Sequence, residues 1–161
     1  MRQKQKQFLV LGLGRFGRSV AIKLTELGHE VLAVDNDEAK VNDIADQVTQ
    51  AMQADCTDED TMRSLDPGGF DAAVVAIGTN VRDSVLVSLL CKEAGVPLVI
   101  AKAMDELHGK LLTKIGVDRV IYPERDMGER LAHALVNPGM MEMMALSGDC
   151  SLAEILTPQA W

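Results

Sequence analysis

Six short apolar runs alternate along the chain with six stretches of helical periodicity, and this alternation constrains the fold more than any other feature. Strands are expected over 7–12, 30–35, 50–55, 72–78, 97–103 and 118–122. Helices are expected over 15–27, 37–48, 57–65, 80–94, 105–115 and from 123 to about 137. Runs such as EVLAVD and AAVVAIG carry too few polar residues to face water on one side. They fit strands buried on both faces, and a helix between successive strands makes them parallel with right-handed crossovers. Gly28, Gly95 and Gly116 sit where helices stop, and Pro123 sits where the last one starts. The expectation is an α/β fold with one six-stranded parallel sheet and helices on both faces.

The chain has 161 residues, 47% of them hydrophobic, which suits a single domain with a substantial core. Its net charge of −8 argues against a general nucleic-acid binder. That charge does not oppose a small anionic ligand, because helix N-termini bind phosphate through backbone amides. No apolar run reaches the roughly 20 residues of a membrane span, and the start, MRQKQKQ, lacks the features of a signal peptide. Cys56, Cys91 and Cys150 are scattered and odd in number, which fits reduced thiols in a cytosolic protein.

The first strand runs into Gly12, Gly14 and Gly17, a G-x-G-x-x-G turn that opens the first helix. In such a turn the first glycine permits the tight bend and the second lets backbone approach a pyrophosphate. The third allows close packing of helix on sheet. The amides near Arg15 and Phe16 would face the phosphates at the positive end of that helix. Asp35 ends the second strand 18 residues after Gly17, where a carboxylate accepts ribose hydroxyls and repels a 2′-phosphate. That favours NAD, ADP or ATP over NADP, and the other reading of Asp35 is a solvated loop acid. Together the turn and the acid make the sheet Rossmann-like and doubly wound, with strand order 3-2-1-4-5-6.

Other candidates lie at the ends of later strands. Asp55 fits a ligand contact or turn chemistry equally well, while Thr57 and Asp60 resemble a capping box. Ala76, Ile77 and Gly78 end the fourth strand beside the expected topological switch, and Asn80 fits a helix cap. Lys102 ends the fifth strand, where it can reach a phosphate or stand in solvent. Asp37 is expected to cap the helix that follows Asp35. Catalytic patterns are harder to find. The single tyrosine, Tyr122, is followed four residues later by Asp126, so there is no Tyr-x-x-x-Lys pair. His29, His108 and His133 fall in different elements. The residues supply a cofactor turn without an evident acid–base set. A small NAD-dependent oxidoreductase, or a subunit of one, remains the alternative to a binding module.

Four segments in order, VLGLGRFGRSVAIKLTELGHEVLAVDND, ADCTDEDTM, AAVVAIGTN and VDRVIYPERDMGERLA, resemble the RCK N-terminal (KTN or TrkA-N) domain. Within it they are most similar to the cytosolic regulatory subunits of bacterial Ktr/Trk-type potassium transport systems. The resemblance implies a regulatory nucleotide, NAD(H) or ATP/ADP, that gates a potassium channel or transporter. It implies that Gly12, Gly14, Arg15, Phe16 and Gly17 form the phosphate loop. Asp35, with Asn36 beside it, matches the ribose position, and Asp55 and Cys56 match the adenine side, where Cys56 departs from the usual alanine. Ala76, Ile77 and Gly78 match the segment over the ligand, and Lys102 matches a basic position near the phosphates. Glu124 matches an acid that in some members helps hold a divalent cation with the phosphates, and Arg125 next to it could face another subunit.

The resemblance further implies a cytoplasmic homo-dimer that builds a larger ring on a membrane partner. The apolar helix 80–94 suits a subunit contact or a deep core position. The nucleotide-binding domain is expected over 1–138. After it, the methionine-rich stretch 140–144 and the β-like run 151–156 are expected to form a hinge and the start of a C-terminal lobe, with an unstructured tail as the other reading.

Overall fold

In the computed structural model, which describes residues 4–137 and residue 139, six strands form one all-parallel sheet. They are β1 (Gln7–Leu11), β2 (Glu30–Asp35), β3 (Gln50–Gln53), β4 (Ala72–Val75), β5 (Val99–Lys102) and β6 (Arg119–Ile121). Their order is β3-β2-β1-β4-β5-β6, as the alternation and the glycine turn predict. The helices are α1 (Arg15–Glu26), α2 (Glu38–Ile44), α3 (Glu59–Ser64), α4 (Val81–Glu93), α5 (Glu106–Lys114) and α6 (Pro123–Val136). The chain divides into two compact units at Tyr122 and Pro123. The first holds the whole sheet with α1 to α5. The second includes α6, on which Met127, Leu131 and Leu135 recur at four-residue spacing and are exposed. The expected boundary at 138, the methionine-rich stretch and the run 151–156 lie outside the described residues.

The period of two along each strand sends alternate side chains to opposite faces, and both faces of the sheet are covered. Leu9 and Leu11 of β1, with Ala73 and Val75 of β4, join a core with Met62 of α3, Val87 of α4 and Leu112 of α5. Val10 of β1 and Val74 of β4 point the other way, into a core with Ala21 of α1 and Val41 and Ile44 of α2. The sheet is therefore doubly wound. The apolar helix that the sequence left open between subunit contact and core is α4, and Val87, Leu90 and Cys91 bury one side of it in the larger core.

The regular elements are shorter than the apolar runs that announce them. β1 stops at Leu11 because Gly12 turns the chain with φ +103°. β4 stops at Val75, although the Ala76 amide still donates to the Leu11 carbonyl at 2.7 Å. α2 ends at Ile44 and gives way to a 3-10 turn, Ala45–Gln47, in a stretch where Asn42, Asp43 and Asp46 are poor helix formers. The cap of α3 is Asp58, one residue past the expected Thr57. Its Oδ2 accepts the Thr61 amide at 3.1 Å, while the Thr57 hydroxyl donates to Asp55 Oδ1. Asp37 and Asn80 cap α2 and α4 as expected, accepting the amides of Ala39 and Asp83.

Asp118 fastens the far side of the sheet just before β6. Its Oδ2 accepts the Val99 amide at 2.7 Å, and Lys92 of α4 donates to the same carboxylate at 3.2 Å. The backbone hydrogen bond from Val99, helped by Lys92, holds this carboxyl below its ordinary value against the opposing effect of desolvation. A carboxyl depressed in the folded state contributes its stability above its unfolded value, and loses it as pH falls through the lower folded one. Asp118→Ala is expected to cost about 1–2 kcal/mol near neutral pH, the worth of a charge-assisted backbone hydrogen bond. Urea melts at pH 7 and again in strong acid should show the difference from wild type shrinking as the acid protonates Asp118.

Candidate functional site

The carboxyl ends of all six parallel strands lie along one edge of the sheet, and the connections leaving β1 and β4 diverge to opposite faces there. That divergence opens the crevice in which open α/β sheets take their ligands. Gly12 and Gly17 shape it from one side. A Cβ on Gly12 would stand 2.8 Å from the carbonyl carbon and oxygen of Ala76. A Cβ on Gly17 would overlap the Gly12 carbonyl oxygen and meet the Ala76 side chain at 3.0 Å. The end of β1, the first turn of α1 and the end of β4 are thus in backbone contact, and only glycine fits at two of the three points.

Gly14 differs from its neighbours. It is the N-cap of α1, has extended backbone, and a Cβ built on it meets nothing within 4 Å. The glycine there is not needed for packing, and the space it faces is open. α2, α3, α4 and α5 each begin with an Asp or Asn side chain that accepts a first-turn amide, whereas α1 has no side-chain cap and no acid in its first turn. Its amides are left for an outside acceptor at the positive end of the helix. Arg15 is exposed beside this turn, and Phe16 packs against the core under α1. Arg18, which the sequence reading passed over, pairs with Asp43 of α2 at 2.5 Å.

Asp35 does more than stand at the end of β2. Its Oδ2 accepts the Leu13 amide at 2.7 Å, and its Oδ1 accepts the Asp37 amide at 2.8 Å. One carboxylate therefore ties the glycine turn to the start of α2, and each oxygen keeps a second lone pair for a further donor. No side-chain pattern encodes this link, because both partners are backbone amides. Asn36 is exposed next to it, and its carbonyl accepts from Gln53 Nε2 at 3.2 Å.

The adenine-side candidates follow β3. Asp55 is exposed, and its Oδ1 accepts both the amide and the hydroxyl of Thr57, at 3.0 and 2.5 Å. Turn chemistry therefore engages one of its oxygens. The Cys56 side chain lies in the core, and its thiol is pushed up to about 12, first by burial and then by the nearby Asp55 and Asp35 charges. This thiol is a small apolar core group.

Across the crevice, Ala76 is buried while Ile77 and Gly78 are partly exposed. Lys102 reaches over from the end of β5, and a Cβ on Gly78 would stand 2.8 Å from its Nζ. Gly78 is what lets the ammonium lie over the end of β4. Glu124 and Arg125 are exposed at the start of α6, in the second unit. Among the described residues no group of three or more His, Cys, Asp or Glu is arranged to hold a metal ion.

The TrkA-N domain family matches the chain over residues 8–123, the span that holds the G-x-G-x-x-G turn and the acid closing β2. The chain belongs to the TrkA-N domain family. It is 44% identical over 152 residues to Ktr system potassium uptake protein C of Bacillus subtilis, covering 94% of this chain and 69% of that one. It is 45% identical over 155 residues to Ktr system potassium uptake protein A of the same organism, covering 96% and 70%. Among solved structures, the TrkA-N domain of inner membrane protein ybaL from Escherichia coli is similar with a TM-score of 0.72. It shares 16% identity, over 83% of this chain and 99% of that one. The GsuK channel bound to NAD has a TM-score of 0.64 at 18% identity, over 73% and 21%. The Kef C-terminal domain of Shewanella denitrificans in its AMP-bound form has a TM-score of 0.68 at 19% identity, over 92% and 97%. At these identities the structures establish the shared fold.

The packing separates the glycines of this TrkA-N turn. Gly17→Ala forces a methyl against the Gly12 carbonyl and is expected to cost about 1–3 kcal/mol. Gly14→Val places its side chain in open space and should leave the thermal midpoint within a few degrees of wild type. Thermal melts of the two variants side by side check this ordering, and equal losses would refute it.

Proposed function

We propose that this TrkA-N chain is the nucleotide-sensing part of a potassium uptake system, and that its ligand is an adenine nucleotide with free ribose hydroxyls, NAD(H) or ATP/ADP. The observation that carries the reading is the turn between β1 and α1. There an uncapped helix N-terminus stands open at Gly14, and Asp35 grips the same turn from β2. Gly12, Gly14 and Gly17, with the amides of Arg15 and Phe16, would hold the phosphates, and Lys102 would add charge from the other side of the crevice. The unused lone pairs of Asp35 suit ribose hydroxyls, and its negative charge disfavours a 2′-phosphate. Asn36, Asp55 and the Cys56 backbone would line the adenine side, and Ala76, Ile77 and Gly78 would pass over the ligand. Glu124 would offer its carboxylate to a divalent cation.

The Ktr potassium uptake relatives support the transport role, and the NAD-bound GsuK channel and AMP-bound Kef domain support the ligand class. A binding role fits the histidines better than catalysis does. His29 Nδ1 accepts the Lys6 amide, and His108 is buried with both ring nitrogens engaged. No helix among the described residues is long and apolar enough to cross a membrane, which suits a cytoplasmic component that acts on a membrane subunit. Exposed Leu107 and Leu111 of α5, with Met104 before it, suit the assembly of this chain with copies of itself. A bound nucleotide supplies no reaction in this reading. It acts by binding one conformation more tightly than another, which alone can shift their populations.

Isothermal titration with ATP, ADP, NADH and NADPH, each with and without magnesium, tests the proposal. At least one of the first three should bind, with NADPH weaker by about tenfold or more, the effect of setting a phosphate against a carboxylate. Asp35→Ala should weaken the favoured nucleotide and narrow its margin over NADPH. Failure of all four to bind a folded protein would refute the reading, and an unchanged margin in Asp35→Ala would remove the ribose role.

A further inference from the structure

His108 lies in the first turn of α5 and is 1% exposed. Its ring is held at both nitrogens. The Met104 amide donates to Nδ1 at 3.0 Å, and Nε2 lies 3.0 Å from the Ser84 hydroxyl of α4. A backbone amide is only a donor, so Nδ1 must be the unprotonated acceptor. The ring proton then sits on Nε2 and points to Ser84 Oγ. This neutral tautomer satisfies both ring nitrogens. A second proton can go only on Nδ1, where it would face the Met104 N–H donor to donor. The hydrogen bond to Met104 and the imidazolium are mutually exclusive.

We propose that His108 is a proton-operated latch. Its neutral ring fastens the connection between β5 and α5 through Met104, and protonation releases that connection. Met104 stands two residues after Lys102, so the latch holds the chain where it leaves the carboxyl edge of the sheet. The inference rests on the His108 geometry and is independent of which ligand, if any, that edge binds.

The surroundings set the direction in which the latch works. Burial disfavours the imidazolium and moves His108 below its ordinary value of 6.5, and the Asp105 carboxylate opposes this. Asp105 is the N-cap of α5, and its Oδ1 accepts the His108 amide at 2.9 Å. From α4 the facing group is the neutral Ser84 hydroxyl. After β6, the Tyr122 hydroxyl lies against Gly109, the next residue along α5. Because the folded value is below the unfolded one, the unfolded chain takes up the proton first. Stability is therefore full above about 6.5. It declines as pH falls toward the folded value and levels off once the folded state is protonated as well.

The latch is tested by NMR on the full chain between pH 8.0 and 4.5, following the His108 ring nitrogens and the exchange protection of the Met104 amide. The expected result is an Nε2–H tautomer at high pH, protonating below the range of an ordinary histidine. In the same step, Met104 protection should fall about tenfold relative to the Val10 amide in the sheet. His108→Asn, whose side-chain oxygen can still accept the Met104 amide, should keep that protection flat across the range. Asp105→Asn keeps a capping oxygen but removes the charge, and it should move the transition to lower pH. The proposal is overturned by an Nδ1–H tautomer at high pH, by Met104 protection that ignores His108 titration, or by a transition that Asp105→Asn leaves in place.

Discussion

The close approach of Gly12, Gly17 and Ala76 is the contact on which the rest of the structure depends. It brings the end of β1, the start of α1 and the end of β4 to within van der Waals distance through backbone atoms and the Ala76 methyl. β1 and β4 are the strands at which the winding reverses, with α1 and α2 packed on one face and α3 to α5 on the other. A side chain at Gly12 or Gly17 would push α1 off the sheet or force β1 and β4 apart. The same packing aims the first turn of α1 along the carboxyl edge, so what closes the core also presents the amides. Interiors this dense tolerate little added volume, which is why small residues at this corner are a condition of both fold and site.

Asp35 links that corner to the neighbouring strand. By accepting the amides of Leu13 and Asp37 it fixes the glycine turn against the start of α2 before any ligand arrives. A turn held in place loses less conformational entropy on binding than a mobile one, and affinity gains by that difference. Asp35 is thus a structural residue, and in the proposed function it would be a ligand contact as well. The two roles are separable only because a carboxylate has more lone pairs than the two amides use.

Much of this was legible in the residues, for identifiable reasons. The parallel sheet followed from apolar runs buried on both sides and from helices long enough for crossovers, and its strand order from the glycine turn and the acid closing β2. The caps Asp37 and Asn80 followed from residue type just ahead of a periodic segment. What stayed illegible depends on partners distant in sequence. The Asp35 to Leu13 link joins a side chain to an amide 22 residues away, and nothing about either residue type announces it. Asp58 took the cap expected at Thr57 because two adjacent residues could each serve, and the geometry of the turn at Asp55 chose between them. Cys56 sat in a motif read as ligand-facing, yet its side chain joined the core. Period-two reasoning does not extend past Gln53, where β3 ends. Nothing in the sequence around His108 encodes the contacts of its ring with Met104 and, 24 residues away, Ser84.

The two sides of the crevice are governed by different parts of the fold, a division that would suit the proposed sensing role. The glycine turn and Asp35 are anchored through α1 and α2 on one face. Gly78 and Lys102 belong to the β4 and β5 ends, whose connections are anchored through α4 and α5 on the other. A ligand that touches only one side can bind tightly and still leave the relation between the faces unchanged. A ligand that bridges them favours whichever arrangement satisfies both. Each tenfold difference in its affinity for two arrangements moves their balance by about 1.4 kcal/mol. Nucleotides that share the ribose and first phosphates but differ beyond them would engage the Asp35 side alike and the Lys102 side differently. In the proposed function, discrimination between such ligands would then come from the second side, where the Lys102 ammonium rests over Gly78.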